Sequence, residues 1–234
     1  MNDDSSRPET DRAFPPTSHG PITEVFRRTT DRAAALCLRW EIHPDVISCL
    51  SILASAMAAV CFWRARSCPW FLLLGPALCY LRLWYEMLDD RVAATSGKVN
   101  CRREILDDLP GRISDILIFA GVAHSGLNAI ASGYWAAMLA LLTAYVGLFG
   151  QAVGGRRESG GLMARPWQMV SLHAGAWLTL AMIWWNHGDV HWGRLTVLDW
   201  TCLVIVAGCV QTIRVRLERI LDALRNKNAG SRPG

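Results

Sequence analysis

Glu86, Asp89 and Asp90 stand at positions i, i+3 and i+4, a spacing that puts three carboxylates on one face of a helix. About twenty residues later come Asp107 and Asp108, and Asp115 lies two turns beyond Asp107. Between the two groups runs a short basic, polar loop, Arg91 to Arg103. Carboxylates from two neighbouring helices repel each other unless a cation sits between them. Hard oxygen ligands of this kind suit Mg²⁺ or Mn²⁺. The same acids could instead lie in a headgroup zone and pair with Arg91, Arg102, Arg103 and Arg112. Spacing leaves both readings open.

The segments that must carry these acids are apolar. Only 19% of the 234 residues are charged, against 52% hydrophobic, which excludes a disordered chain and an acidic tail protein. Residues 46–63 are uncharged, as are 67–81, a run extended to about 90 by Arg82 and the first acids. Residues 116–155 hold no Asp, Glu, Lys or Arg, which is room for two spans with a break at Ser132-Gly133. Residues 166–188 are uncharged, and 195–213 contain only Asp199. The pattern predicts an all-α integral membrane protein with six transmembrane helices. Carboxylates at membrane depth are costly, which makes the acids at the end of the second span functional candidates.

Basic residues give the orientation. Alternating the connections places 20 Lys and Arg on one side and 3 on the other, with Arg82 inside a span. Both termini are then cytoplasmic, as expected in a bacterial inner membrane. Residues 1–21 read as a disordered tail without the apolar stretch of a signal peptide. Residues 22–42 read as an amphipathic helix on the anionic inner leaflet. Residues 43–213 form the membrane domain, and 214–234 a basic cytoplasmic tail. Asp45 is placed to cap the first span after His43-Pro44.

Residues 82–115 read RLWYEMLDDRVAATSGKVNCRREILDDLPGRISD. This stretch resembles the signature of the CDP-alcohol phosphatidyltransferases, D-x2-D-G-x2-A-R-x8-G-x3-D-x3-D. Without gaps, Glu86 and Asp89 fall on the first two acids, Ala93 on the alanine and Asp107 on the third acid. Asp90 and Arg103 fall on the two glycines, Ala94 on the arginine and Gly111 on the fourth acid. His43-Pro44-Asp45-Val46-Ile47-Ser48 is similar to the Pro-Asn-x-(Leu/Ile)-Thr start of the family's first span. Gly161-Leu162-Met163-Ala164-Arg165-Pro166 resembles a Gly-x-Met-Ala-Lys segment of bacterial members.

The resemblance implies two divalent cations, Mg²⁺ or Mn²⁺, gripping the diphosphate of a CDP-linked lipid or alcohol. Glu86, Asp89, Asp90 and Asp107 would be the metal ligands, with Glu86, Asp89 and Asp107 sharing a cation. Arg82, Arg103, Arg112, Arg156 and Arg157 would contact phosphate. The fourth acid would take a proton from the incoming alcohol, whose oxygen attacks the phosphorus as CMP leaves, in phospholipid biosynthesis. Gly111 cannot do so, so Asp115 or Asp108, next to Asp107, is expected to replace it, with weak turnover. Membrane lipid, a CDP-linked donor and an alcohol acceptor are the expected partners, with a homodimer left open. A non-catalytic relative binding nucleotide, lipid or a partner is the first alternative, and a small transporter the second.

The remaining polar residues carry less. His124 and His173 read as buried hydrogen-bonding side chains within spans. Asp199 reads as a membrane-interface residue, and Trp184, Trp185, Trp192 and Trp200 as an aromatic belt. No Walker sequence, dinucleotide fingerprint or nucleophilic triad is present, and the mild net charge of +4 does not imply nucleic acid.

Overall fold

Each uncharged run becomes a helix, and proline and turn chemistry set the boundaries. A computed structural model describes residues 21–40, 44–95, 101–152, 161–185 and 190–230. The helices are α1 (Pro21–Arg39), α2 (Pro44–Arg64), α3 (Phe71–Thr95), α4 (Cys101–Ala123), α5 (Ile130–Ala152), α6 (Arg165–Trp185) and α7 (Val197–Gly230). A two-stranded ribbon, β1 (His191–Trp192) and β2 (Leu195–Thr196), precedes α7. Among the described residues four helices are long and apolar enough to cross a membrane: Asp45–Arg64, Phe71–Asp89, Ile130–Gly150 and Val197–Arg225.

Helix starts follow local rules. α2 opens with Pro44, whose missing N–H costs nothing in a first turn, and Asp45, which complements the helix dipole. α7 opens with a reciprocal cap. Asp199 N donates to Thr196 Oγ1 at 3.1 Å, and Thr196 N donates back to Asp199 Oδ2 at 3.2 Å. Asp199 therefore is no simple interface residue. It is buried, and its Oδ1 also accepts from Ala129 N at 2.9 Å and Ser132 Oγ at 2.6 Å, so it ties α7 to the start of α5.

The expected break at Ser132-Gly133 lies inside α5. The turn falls earlier, across His124–Ala129, where Gly126 takes a positive φ of 69°. Gly133 is instead a packing position: a β-carbon there would stand 2.7 Å from Ala123 Cα. His124 follows α4 and is exposed, contrary to the expected burial. His173 is buried and donates from Nε2 to the Pro76 carbonyl at 2.7 Å. α3 runs to Thr95 and α4 begins at Cys101, so both ends of the stretch expected as a loop from Arg91 to Arg103 are helical.

α2 packs on α3 and α4, α5 on α4 and α7, and α6 on α7 and α3, so the six helices close a ring. Phe62, Leu72, Ile118, Phe119, Met169 and Ile205 fill its core. Trp63, Trp135, Trp177 and Trp184 point outward and are more than half exposed, as a lipid-facing surface requires. α1 docks on α3: Ala34 joins Ile47, Leu88 and Val92 in a small cluster, and Trp84 Nε1 donates to Thr29 Oγ1 at 3.3 Å. At one end of the ring Arg66, Asn128, His191 and Thr196 line an open pocket of about 620 Å³. The acids lie at the other end.

Candidate active site

Inside the ring, side chains of α3, α4 and α6 meet around two carboxylates and two guanidinium groups. Arg82 and Glu86 are one turn apart on α3, and Arg82 Nη1 lies 3.3 Å from Glu86 Oε2. Arg82 Nη2 reaches Asp115 Oδ1 on α4 at 3.1 Å and donates to the Gly111 carbonyl at 3.0 Å. From the first residue of α6, Arg165 pairs through Nη1 with Glu86 Oε1 and through Nε with Asp115 Oδ2 at 3.2 Å. Charges therefore alternate around the cluster, and each carboxylate touches both guanidinium groups.

Burial grades the cluster. The Arg82 side chain is 0% exposed and that of Asp115 7%, whereas Arg165 and Glu86 are 20% and 30% exposed. An unpaired charge at Arg82 would be prohibitive, so its three partners are a condition of folding. Arg165 and Glu86 form the side of the cluster that opens outward.

Arg165 is held there by its neighbours. Met163 N donates to Thr212 Oγ1 at 2.9 Å, and Gln168 Nε2 donates to the Met163 carbonyl at 3.0 Å. Pro166 then sets the first turn of α6. A planar guanidinium can bridge two carboxylates at once, which an ammonium group does poorly.

Gly111 leaves the space that Arg165 uses. A β-carbon at residue 111 would lie 3.0 Å from Arg165 Nη1, 3.2 Å from Nη2 and 3.3 Å from Glu86 Oε1. The position that the family signature gives to its fourth acid thus faces a guanidinium group. Among the described residues Glu86 is engaged by both arginines, while the side chains of Asp90 and Asp107, which the resemblance gives as metal ligands with Glu86 and Asp89, lie outside the described residues. Among the described residues no three His, Cys, Asp or Glu side chains come together as a metal site.

Of the other expected site residues, the structure describes the side chains of Asp89 and Arg112. Asp89 accepts from Ser48 Oγ at 2.5 Å, joining the start of α2 to the end of α3. Arg112 is half-buried on α4. Arg82, expected at phosphate, is wholly buried behind the acids because its three partners enclose it. Asp115, expected as a base, has a guanidinium on each oxygen. Asp90, Asp107, Asp108 and Arg103 sit on helical backbone, but their side chains lie outside the described residues, as do Arg156 and Arg157 entirely. The expected shared cation of Glu86, Asp89 and Asp107 therefore also rests partly outside them. Sequence reasoning missed Arg165 as a site residue; its signal was its place on the lysine of the Gly-x-Met-Ala-Lys segment, just before an apolar span.

No family model matches the chain. A phosphatidylinositol phosphate synthase from Mycobacteroides abscessus is 28% identical over 214 residues, covering 88% of this chain and 93% of the relative. The chain is homologous to that protein, a CDP-alcohol phosphatidyltransferase. Crystal structures of the Mycobacterium tuberculosis phosphatidylinositol phosphate synthase share the fold. The form with CDP-DAG bound gives a TM-score of 0.65 at 22% identity, over 82% of this chain and 94% of that one. The form in complex with manganese and citrate gives 0.63 at 22% identity, over 82% and 88%. Apolar helices and this homology make the chain an integral membrane protein with bacterial relatives.

Proposed function

We propose that this homologue of a CDP-alcohol phosphatidyltransferase transfers a phosphatidyl or similar phospho-alcohol group from a CDP-linked donor to an alcohol, with release of CMP. The observation that carries the reading is the Arg82–Glu86–Asp115–Arg165 cluster at one end of a ring of apolar helices. A ring of this kind admits a lipid from the side and a nucleotide from water. Under this reading α4 and α6 also cross the membrane, giving six spans with both termini cytoplasmic. α1 then lies along the inner surface, docked on α3.

The chemistry asks for charge neutralisation and positioning more than for covalent help. The alcohol oxygen forms a bond to the lipid-side phosphorus, the bond from that phosphorus to CMP breaks, and CMP leaves with the electron pair. Arg165, at the open side of the cluster, supplies fixed positive charge beside the phosphates. Arg82 supplies none to substrate, and holds Glu86 and Asp115 from behind. Arg103, Arg112, Arg156 and Arg157 are the further phosphate candidates. The alcohol's proton goes to a carboxylate, with Asp107, Asp108 and Asp115 as candidates. Asp115 can accept it only once Arg165 Nε leaves its Oδ2.

A non-catalytic relative that binds nucleotide or lipid draws support from Gly111, which offers no base where the family signature has its fourth acid. One experiment separates the two. CMP release from CDP-diacylglycerol is measured against inositol, inositol phosphate, glycerol phosphate and serine, each with and without Mg²⁺ or Mn²⁺. Acceptor-dependent CMP supports transfer. Donor binding without CMP release supports the non-catalytic form.

A further inference from the structure

We propose that the pocket at the end of the ring opposite the acids binds one anionic phospholipid of the leaflet at that end, with its phosphate on Arg66. A volume of about 620 Å³ lies in the range of small-ligand sites. Leu127, Ile183 and Val190 give the pocket an apolar wall, and Arg66 stands on its polar side. The arginine has a built seat. Gly126 turns the chain between α4 and α5 with a φ of 69°, and Arg66 Nη1 donates to its carbonyl at 3.2 Å. A β-carbon at residue 126 would lie 3.1 Å from Arg66 Cδ, so the glycine also makes room for the arginine's stem. Arg66 is exposed, and among the described residues no carboxylate pairs with it. A guanidinium with one N–H engaged keeps a fork for two phosphate oxygens.

The polar groups beside it are already bonded to one another. Asp199 Oδ1 accepts from Ala129 N and Ser132 Oγ, and Oδ2 accepts from Thr196 Oγ1. With both Asp199 oxygens engaged, this wall suits a phosphate better than a headgroup ammonium. Depth points to a lipid. Pro69, Ile183, His191 and Asp199 line the pocket, and each is followed directly by an exposed tryptophan: Trp70, Trp184, Trp192 and Trp200. Trp70 and Trp184 meet edge to face at 5.4 Å. Tryptophans gathered in this way mark headgroup depth. A phospholipid there supplies both the phosphate for Arg66 and an apolar glycerol end for the other wall, whereas free phosphate uses the arginine alone.

Thermal unfolding of the full chain in neutral detergent tests the site, with phosphatidylglycerol, phosphatidylcholine or inorganic phosphate added. Phosphatidylglycerol is expected to raise the Tm of wild type, because a ligand that binds only the folded state stabilises it, and the other two to raise it far less. Arg66→Gln removes one charge-assisted contact and is expected to need roughly tenfold more phosphatidylglycerol for the same rise. Arg64→Gln is the control, since that guanidinium lies over the Trp63 ring at 6.0 Å, and it should respond as wild type does. An Arg66→Gln response equal to that of wild type would overturn the proposal. So would a wild type that phosphatidylglycerol does not stabilise, or one that phosphatidylcholine or inorganic phosphate stabilises equally. If Arg66→Gln does not fold, phosphatidylglycerol carrying a diazirine beside its glycerol decides on wild type. Labelling at Pro69, Leu127, Ile183 or Val190 supports the site, and labelling only elsewhere overturns it.

Discussion

Arg165 lies across the gap that Gly111 leaves, its two terminal nitrogens 3.0 and 3.2 Å from where a β-carbon on residue 111 would stand. This relationship changes what a restored acid can do. On sequence alone, Gly111→Asp should raise CMP release if the site merely lacks its base, and should do little if Asp115 has taken that role. In the structure the new carboxylate meets Arg165 first and pairs with it. We expect Gly111→Asp alone to gain far less than the roughly 10²-fold that general-base help provides. Steady-state CMP release by the two proteins checks this.

Among the described residues Arg82 is the largest fully buried side chain, and it holds both acids. Arg82→Met leaves Glu86 and Asp115 with one counter-charge between them. Breaking a buried ion pair costs about 3–5 kcal/mol, and Arg82→Met is expected to fall in that range. Arg82→Lys keeps the charge, loses the fork and should cost less. Thermal unfolding in detergent compares the three.

Much of the fold is legible in the sequence. His43-Pro44-Asp45 marks the start of α2, and each long uncharged run contains a helix. The break between α4 and α5 was misplaced because both candidate sites are uncharged and rich in small residues. Ser125, Gly126 and Asn128 form the turn, whereas Gly133 serves close packing, a distinction that only the partner Ala123 reveals. The three acids of α3 were visible from their spacing. The partner of Glu86 on α6 is not legible, because Arg165 lies 79 residues away and only helix packing brings the two together. Asp115 is an expected base on sequence grounds, but one carboxylate in a sequence cannot show that both its oxygens face guanidinium groups.

Close approach of α2 and α4 depends on Gly121, where a β-carbon would lie 2.4 Å from the Ala59 carbonyl oxygen. Small residues let membrane helices meet closely. Gly121→Val is therefore expected to destabilise by about 1–3 kcal/mol through overpacking, seen as a lowered Tm.

At the opposite end, Asp199 accepts hydrogen bonds from Ala129, Ser132 and Thr196. Asp199→Ala removes the α7 cap and the link to α5. A lost cap costs about 0.5–2 kcal/mol, so Tm should fall. CMP release per folded molecule should not change, because the acids of α3 lie at the other end of the ring. Activity normalised to folded protein checks the separation.

Detection of the lipid product tests the central claim most directly, because CMP alone could also arise from hydrolysis of the donor. CDP-diacylglycerol is incubated with the purified chain and each alcohol, and the lipids are analysed by mass spectrometry. The account predicts a new phosphatidyl-alcohol whose mass shifts with the acceptor supplied and whose amount matches the CMP released. Folded protein that binds CDP-diacylglycerol yet yields no acceptor-dependent lipid with any alcohol, with or without divalent metal, would contradict it.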